Sequence, residues 1–317
     1  MSEPVLEVTD LHVSFGPPRH RVTVVHGVDL RVDAGEIVGV VGESGSGKTL
    51  SAMAASDLLP VNAHFSAERW RFNGVDLLAA SRSVRGATLG GKLAVVVQDP
   101  MSSLNPARRV GAQLTDSARH WGGRNRAEAR SDAIDQLRGV RIAAPERRID
   151  DYPYELSGGM RQRVMIAMGL MTTPSLIVAD EPTTALDVTV QADIMGLLRE
   201  LNTTEGTAIL LVSHNIALIS EICHRVLVMY AGRIVEEVAG SDLATASRHP
   251  YTQALIASIP SLDAGLDEEI RSIPGSPPDP AHLPVGCAFA DRCPLVTDRC
   301  RAERPELLDG VACWEAH

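Results

Sequence analysis

Aromatic side chains are scarce in this 317-residue chain, at 3% of its residues. The hydrophobic share is nevertheless 44%, enough for a real core in one large or two modest domains. Dense runs of lysine and arginine are missing, and the formal net charge is -10. That balance argues against a nucleic-acid binder, which shows a basic face. No apolar run approaches the roughly 18 residues of a membrane span. Met1-Ser2-Glu3-Pro4 lacks the basic-then-apolar pattern of a secretory signal. The expectation is a cytosolic protein, and disulfides are rare in that compartment. Five cysteines there ask for another explanation, and four of them fall between positions 287 and 313.

What is present is organised around Gly42-Glu43-Ser44-Gly45-Ser46-Gly47-Lys48-Thr49. This stretch fits G-x-x-x-x-G-K-[ST], the phosphate-binding loop. An apolar strand, Ile37-Val38-Gly39-Val40-Val41, precedes it, and a helical stretch from Leu50 follows. The glycines let successive N–H groups turn inward on an anion, and the helix adds the positive end of its dipole. Lys48 can then reach the β- and γ-phosphates of a nucleotide, and the Thr49 hydroxyl can ligate Mg²⁺.

Taken in order, Leu6–Val8, Leu11–Phe15 and Val22–Val32 alternate apolar and polar residues and read as antiparallel strands around Gly16-Pro17-Pro18. Phe15 can stack on an adenine or sit in the sheet core, and both readings stand. Trp70–Phe72 and Leu93–Val97 read as further strands, with Gln98 ending the second. Residues 98–106 break regular structure with two prolines. Val110–Arg141 has helical spacing and reads as a helical insertion with a solvated, charged face. Leu156-Ser157-Gly158-Gly159-Met160 then opens a helix. Its N-terminus reads as a plain Ser157-capped start or as a second anion site. Leu176–Ala179 is a fully apolar strand running into Asp180-Glu181, as a strand central to a parallel sheet does. Such sheets bind ligands at their carboxyl ends, where Asp180 can hold Mg²⁺ and Glu181 can accept a proton from water. Ala185-Leu186-Asp187 reads as a tight turn, a helix follows from Val188 to about Leu201, and the strand Ala208–Val212 ends in Ser213-His214.

The order of these pieces resembles the ATP-binding cassette of ABC transporters. The phosphate loop, Gln98, the signature at Ser157-Gly158-Gly159, Asp180-Glu181, Asp187 and His214 all stand in sequence, over about residues 5–240. The resemblance implies an α/β fold. It would be a RecA-like phosphate-loop core with an antiparallel β subdomain and a helical subdomain at about 100–170, followed by a Cys-rich C-terminal extension over 241–317. It implies ATP and Mg²⁺, with Thr49, Gln98 and Asp180 on the metal, Glu181 and His214 at the γ-phosphate, and Lys48 and Gln98 completing the catalytic set. Gly42, Glu43, Ser44, Gly45, Ser46 and Gly47 would cradle the phosphates. In this family two cassettes pair head-to-tail, so Ser157, Gly158, Gly159 and Asp187 would serve a nucleotide bound by a second ATPase chain. Asn215 departs from the family's usual Asp but leaves the catalytic set complete.

Gln98–Pro106, His249–Leu255 and Gly286–Pro294 narrow the likeness to the ATP-binding subunits of dipeptide and oligopeptide permeases. Those subunits usually work as unlike pairs at the cytoplasmic face of the membrane, beneath two membrane permeases fed by an extracytoplasmic binding protein. Nickel, glutathione or sugar import by a relative stays open, because substrate is chosen by other chains. Non-transport ABC ATPases carry tandem cassettes or long coiled-coil insertions, and this chain shows neither. A metal-sensing scaffold is disfavoured by the intact ATPase motifs. Cys287, Cys293, Cys300 and Cys313 are spaced wider than the paired cysteines of typical zinc sites. Four thiolates match a [4Fe–4S] cluster, which members of the resembled subfamily carry, while zinc and free thiols stay open. Cys223 stands apart and reads as a small core residue.

Overall fold

A computed structural model of the chain describes residues 3–99, 103–184, 186–259 and 272–316. Pro100, Met101 and Ser102 of the loop after Gln98, and Ala185 before Leu186, lie outside these residues. Two compact units form, each discontinuous in sequence. One gathers Met1–Glu7, Arg31–Glu36 and Trp70–Leu211; the other gathers Val8–Leu30, Ile37–Arg69 and Val212–His317.

In the unit that carries the phosphate loop, strand Ile37–Val41 is buried along its whole length. It runs parallel to strand Arg225–Tyr230, with Val38 opposite Arg225 and Val41 opposite Val228. Burial on both faces explains why these strands are continuous apolar runs rather than alternating ones. Arg225–Tyr230 pairs antiparallel with strand Arg233–Ala239, with a register shift at Val228/Met229. Strand Leu6–Phe15 is continuous where the sequence reading divides it, and Asp10 takes up the interruption at φ 51°. Its end pairs antiparallel with Ala63–Ser66, placing Phe15 opposite Ala63.

The C-terminal segment joins this unit through backbone hydrogen bonds. Ala312 N–H donates to Val235 O and Glu237 N–H to Gly310 O, each at 2.8 Å. Beneath it the chain concentrates its few aromatic residues. Tyr230 and Tyr251 stand 4.5 Å apart by ring centroid, and each meets Phe289 at 5.4 Å. All three are essentially inaccessible to solvent. Fully buried rings of this size contribute strongly to packing.

In the other unit the helical insertion is two helices, Val110–His120 and Arg126–Gly139, rather than one run. Gly122 and Gly123 separate them, and Asn125 with Glu128 forms a capping box that starts the second. Both pack on helix Gly158–Leu170. A helix at Arg82–Lys92, absent from the sequence reading, precedes strand Leu93–Val96. That strand runs parallel to Leu176–Asp180, which is buried throughout. Helix Val188–Glu205 ends at Gly206 in the left-handed region, φ 67°. Asn202 secures the turn by donating to Gly35 O and Thr207 O, both at 2.9 Å.

Candidate functional site

The phosphate loop lies between strand Ile37–Val41 and helix Lys48–Ala55, where its chemistry needs it. At Gly42 (φ 150°) a Cβ would sit 2.1 Å from the backbone oxygen of Met229, so a side chain there would force the loop off its neighbouring strand. Gly47, at φ 102°, is the helix N-cap and makes no side-chain cap bond. The positive end of the helix dipole faces the loop there, where an anion is favoured. Lys48 is 6% exposed, and its ammonium donates to Gly42 O and Glu43 O at 2.8 Å and to Ser46 Oγ at 3.4 Å. These bonds hold the cation over the concave side of its own loop. Ser44, Gly45 and Thr49 are exposed, whereas Ser46 and Gly47 are buried. His214 belongs to the same unit and is exposed. Asn215 behind it caps helix Ile216–Ile222 by accepting the Leu218 N–H at 3.2 Å. Phe15 is half-buried at its strand end.

In the other unit the structure brings Gln98 to Glu181. The Gln98 amide Nε2 donates to Glu181 Oε2 at 3.0 Å, and the Thr184 hydroxyl donates to the same oxygen at 2.9 Å. Glu181 lies just past strand Leu176–Asp180 at φ 46°, a left-handed conformation uncommon for a residue with a long side chain. The turn thus redirects its carboxylate out of the strand's alternation. Asp180, 2% exposed, stays within the strand. Ser157 caps helix Gly158–Leu170 by accepting the Met160 N–H at 3.4 Å, so the plain-cap reading describes the helix by itself. Ser157 and Gly158 are nevertheless exposed. Asp187 is also exposed, and it caps helix Val188–Glu205 through the Val190 N–H at 3.0 Å.

Sequence reasoning passed over two partners of the phosphate loop. Arg292 forks onto the Glu43 carboxylate at 2.7 and 2.9 Å. The Tyr251 hydroxyl accepts the Glu43 N–H at 2.7 Å. The only sequence signal was Glu43 itself, a charged residue in a loop built to receive an anion.

Cys287, Cys293, Cys300 and Cys313 line one small cavity, closed by Phe289, Leu295 and Trp314 among others. None of the four is in a disulfide. Burial, and then the mutual proximity of the other three thiols, pushes the Cys287 thiol up to about 11. Burial likewise raises Cys293 and Cys313. The Thr297 hydroxyl lies 3.2 Å from Cys300 Sγ, and the Leu295 N–H donates to Cys293 Sγ at 3.4 Å. Among the described residues no three His, Cys, Asp or Glu side chains close in the tight shell that a single ion demands. Four thiolates on one zinc would lie about 3.8 Å apart, from a Zn–S bond of about 2.3 Å. Cys223, by contrast, is buried, and desolvation holds its thiol up at about 12.

Comparisons with known proteins bear on both regions. Residues 25–184 match the family model described as ABC transporter, and residues 235–300 match that of the oligopeptide/dipeptide transporter C-terminal region. The dipeptide transport ATP-binding protein DppD of Escherichia coli is 45% identical over 303 residues, covering 96% of this chain and 92% of DppD. A probable peptide ABC transporter ATP-binding protein, y4tR of Sinorhizobium fredii, is 43% identical over 99% of this chain and 95% of its own. Among solved structures, the dimeric ATP-binding cassette MJ0796 bound to ADP and Pi superposes with a TM-score of 0.65 at 24% identity, covering 74% of this chain and 98% of that one. The cbiO1 protein of Clostridium perfringens gives 0.64 at 26% identity, over 76% and 90%.

Proposed function

Since the chain belongs to the ABC transporter family, among the ATP-binding subunits of dipeptide and oligopeptide transporters, we propose that it powers uptake of di- and oligopeptides by hydrolysing ATP. It is an ABC-type ATPase, and the observation that carries the catalytic reading is Glu181. Its carboxylate is fixed by the Gln98 amide and the Thr184 hydroxyl just beyond a buried strand. A carboxylate oriented in this way serves as a general base for an attacking water.

The remaining roles follow from the motifs. The loop N–H groups of residues 42–47 and the Lys48 ammonium bind the phosphates, with Lys48 exchanging its carbonyl partners for phosphate oxygens. Thr49, Gln98 and Asp180 are the proposed Mg²⁺ ligands; all carry the oxygen donors that this hard cation prefers. Mg²⁺, when bound, neutralises charge on the phosphate oxygens. His214 donates to the γ-phosphate as charge develops there. Phe15 is the candidate for the adenine. Ser157, Gly158, Gly159 and Asp187 serve the nucleotide of a second cassette, a reading supported by the exposure of Ser157, Gly158 and Asp187. The cassette occupies about residues 1–240, with its helical subdomain at about 100–170, and 241–317 form the extension. Closure of the pair on ATP acts on two membrane permeases that receive peptide from an extracytoplasmic binding protein. The chain itself sits at the cytoplasmic membrane face; among the described residues no helix is long and apolar enough to cross a bilayer.

For the extension we propose a [4Fe–4S] cluster on Cys287, Cys293, Cys300 and Cys313, supported by their convergence on one cavity and by the two hydrogen bonds to sulfur. When bound, the cluster would tie the four cysteines together as a covalent clip. Protein purified without oxygen is expected to be brown and to hold about four irons and four sulfides per chain, the content of one such cluster. Zinc alone, or neither metal, refutes the cluster. For the ATPase, Glu181→Gln is expected to trap ATP-bound dimers and nearly abolish hydrolysis; wild-type turnover in that variant removes Glu181 from the mechanism. Peptide is tested by isolating the tagged chain from native membranes with its companions and measuring which ligand stimulates turnover.

A further inference from the structure

The phosphate loop is held from three sides at a single residue. The carboxylate of Glu43 accepts a two-pronged bond from Arg292, its N–H donates to the Tyr251 hydroxyl, and its carbonyl accepts from Lys48. Two of these partners belong to the C-terminal segment, 208 and 249 residues further along the chain. The Arg292 side chain is only 5% exposed. Its remaining donors are spent on the Tyr230 hydroxyl at 3.2 Å, Pro274 O at 2.8 Å and Ile273 O at 3.4 Å. It also lies against the rings of Tyr230 and Phe289. A planar fork committed in this way has one geometry, and a lysine cannot reproduce it. Arg292 also closes the short turn Ala290–Arg292, and Cys293 is the next residue.

We propose that Arg292 is a positioning residue for nucleotide binding, through which the four-cysteine extension sets the phosphate loop and neutralises the Glu43 carboxylate inside it. The charge argument is direct. A phosphate loop receives a polyanion, and an unpaired carboxylate within it repels that polyanion at short range and low dielectric. Paired with Arg292, the Glu43 charge is offset and the residue anchors the loop backbone instead. Removing the arginine leaves a half-buried carboxylate without its counter-ion. Disordering the cysteine centre displaces the arginine and has the same consequence. This inference rests on the ATPase reading above.

The test is titration of a fluorescent ATP analogue into wild type, Arg292→Ala, Arg292→Lys, Glu43→Gln and the Arg292→Ala/Glu43→Gln pair, each checked for folding by thermal unfolding. Arg292→Ala is expected to weaken binding about tenfold or more, while the double variant recovers most of that loss because the stranded charge is gone. Arg292→Lys, which keeps the charge but loses the fork, falls between. In steady-state hydrolysis the loss appears in KM with kcat changed less than about twofold. With Mg²⁺ held in large excess, stripping iron from wild type with an Fe²⁺-selective chelator weakens binding, and in the double variant it has no further effect. Wild type that binds no nucleotide overturns the ATPase reading. Wild type that binds, with Arg292→Ala binding equally well, overturns only the positioning role. A loss in Arg292→Ala that Glu43→Gln leaves unrescued assigns Arg292 to tail folding alone and overturns the charge argument. Equal sensitivity of wild type and double variant to the chelator overturns the link to the cysteine centre.

Discussion

Replacing Tyr251 with phenylalanine removes one oxygen and leaves the ring where it is. The aromatic cluster keeps its contacts, since Tyr230 and Phe289 meet the ring and not the hydroxyl. What is lost is the acceptor for the Glu43 N–H at 2.7 Å. Burial raises the Tyr251 phenol well above its ordinary pKa, so the group stays a neutral hydroxyl at every accessible pH. A typical hydrogen bond contributes about 1 kcal/mol net, and a buried donor left without a partner costs about 1–3 kcal/mol. Glu43 is half-buried, so water can partly replace the phenol and the cost settles near 1–2 kcal/mol. The loop is re-ordered when it takes phosphate, so that energy reappears as roughly five- to thirtyfold weaker nucleotide binding. The assay is calorimetric titration of ATP into both proteins, alongside thermal unfolding with and without nucleotide. Affinity within about twofold of wild type, at unchanged thermal stability, would refute the claim that the tail holds the loop through this hydroxyl.

Three further outcomes are expected. A Cβ at Gly286 would lie 2.2 Å from Cys300 O and 2.6 Å from Arg301 O, beside the 2.7 Å bond from the Cys287 N–H to Cys300 O. Gly286→Ala should therefore lower iron and sulfide per chain, whereas Gly91→Ala, with nothing near its added Cβ, should leave both unchanged. His249 is 1% exposed, and burial lowers its pKa from 6.5 to about 4, while its Nδ1 accepts the Tyr251 N–H at 3.0 Å. The unfolded chain then binds the extra proton first, so stability is full above about pH 6.5 and falls as pH drops toward 4, by on the order of 3 kcal/mol. Denaturant titrations across that range should show a shallower loss in His249→Asn, and identical slopes would exclude this histidine as the cause. Thr184→Val removes the hydroxyl that donates to Glu181 Oε2 and is expected to lower kcat about five- to tenfold with KM unchanged, a split read from steady-state hydrolysis.

The phosphate loop was legible in the chain because its chemistry is local. Eight consecutive residues carry the glycines, the lysine and the hydroxyl, and the flanking apolar strand and helix follow from composition alone. The buried strands at Ile37–Val41, Leu176–Asp180 and Ala208–Val212 were legible for the same reason, since a strand covered on both faces is a continuous apolar run. Residues 110–141 were less legible. Helical spacing persists across the break, and Gly122-Gly123 alone marks where one helix becomes two.

What tertiary structure decided is of another kind. Gln98 and Glu181 are 83 residues apart, and no pattern in either neighbourhood foretells their bond or the left-handed φ that aims Glu181. Four cysteines spaced too widely for a recognised pair become one cavity only when the tail folds back on itself. Glu43 occupies a motif position where any residue is allowed, and its meaning comes from Arg292, 249 residues later. Sequence by itself determined which groups are available and which strands are buried, because propensity and hydrophobic period act over a few residues. Which of those groups meet is decided by the packing of the whole chain, because a buried charge must find its partner wherever the fold has placed one.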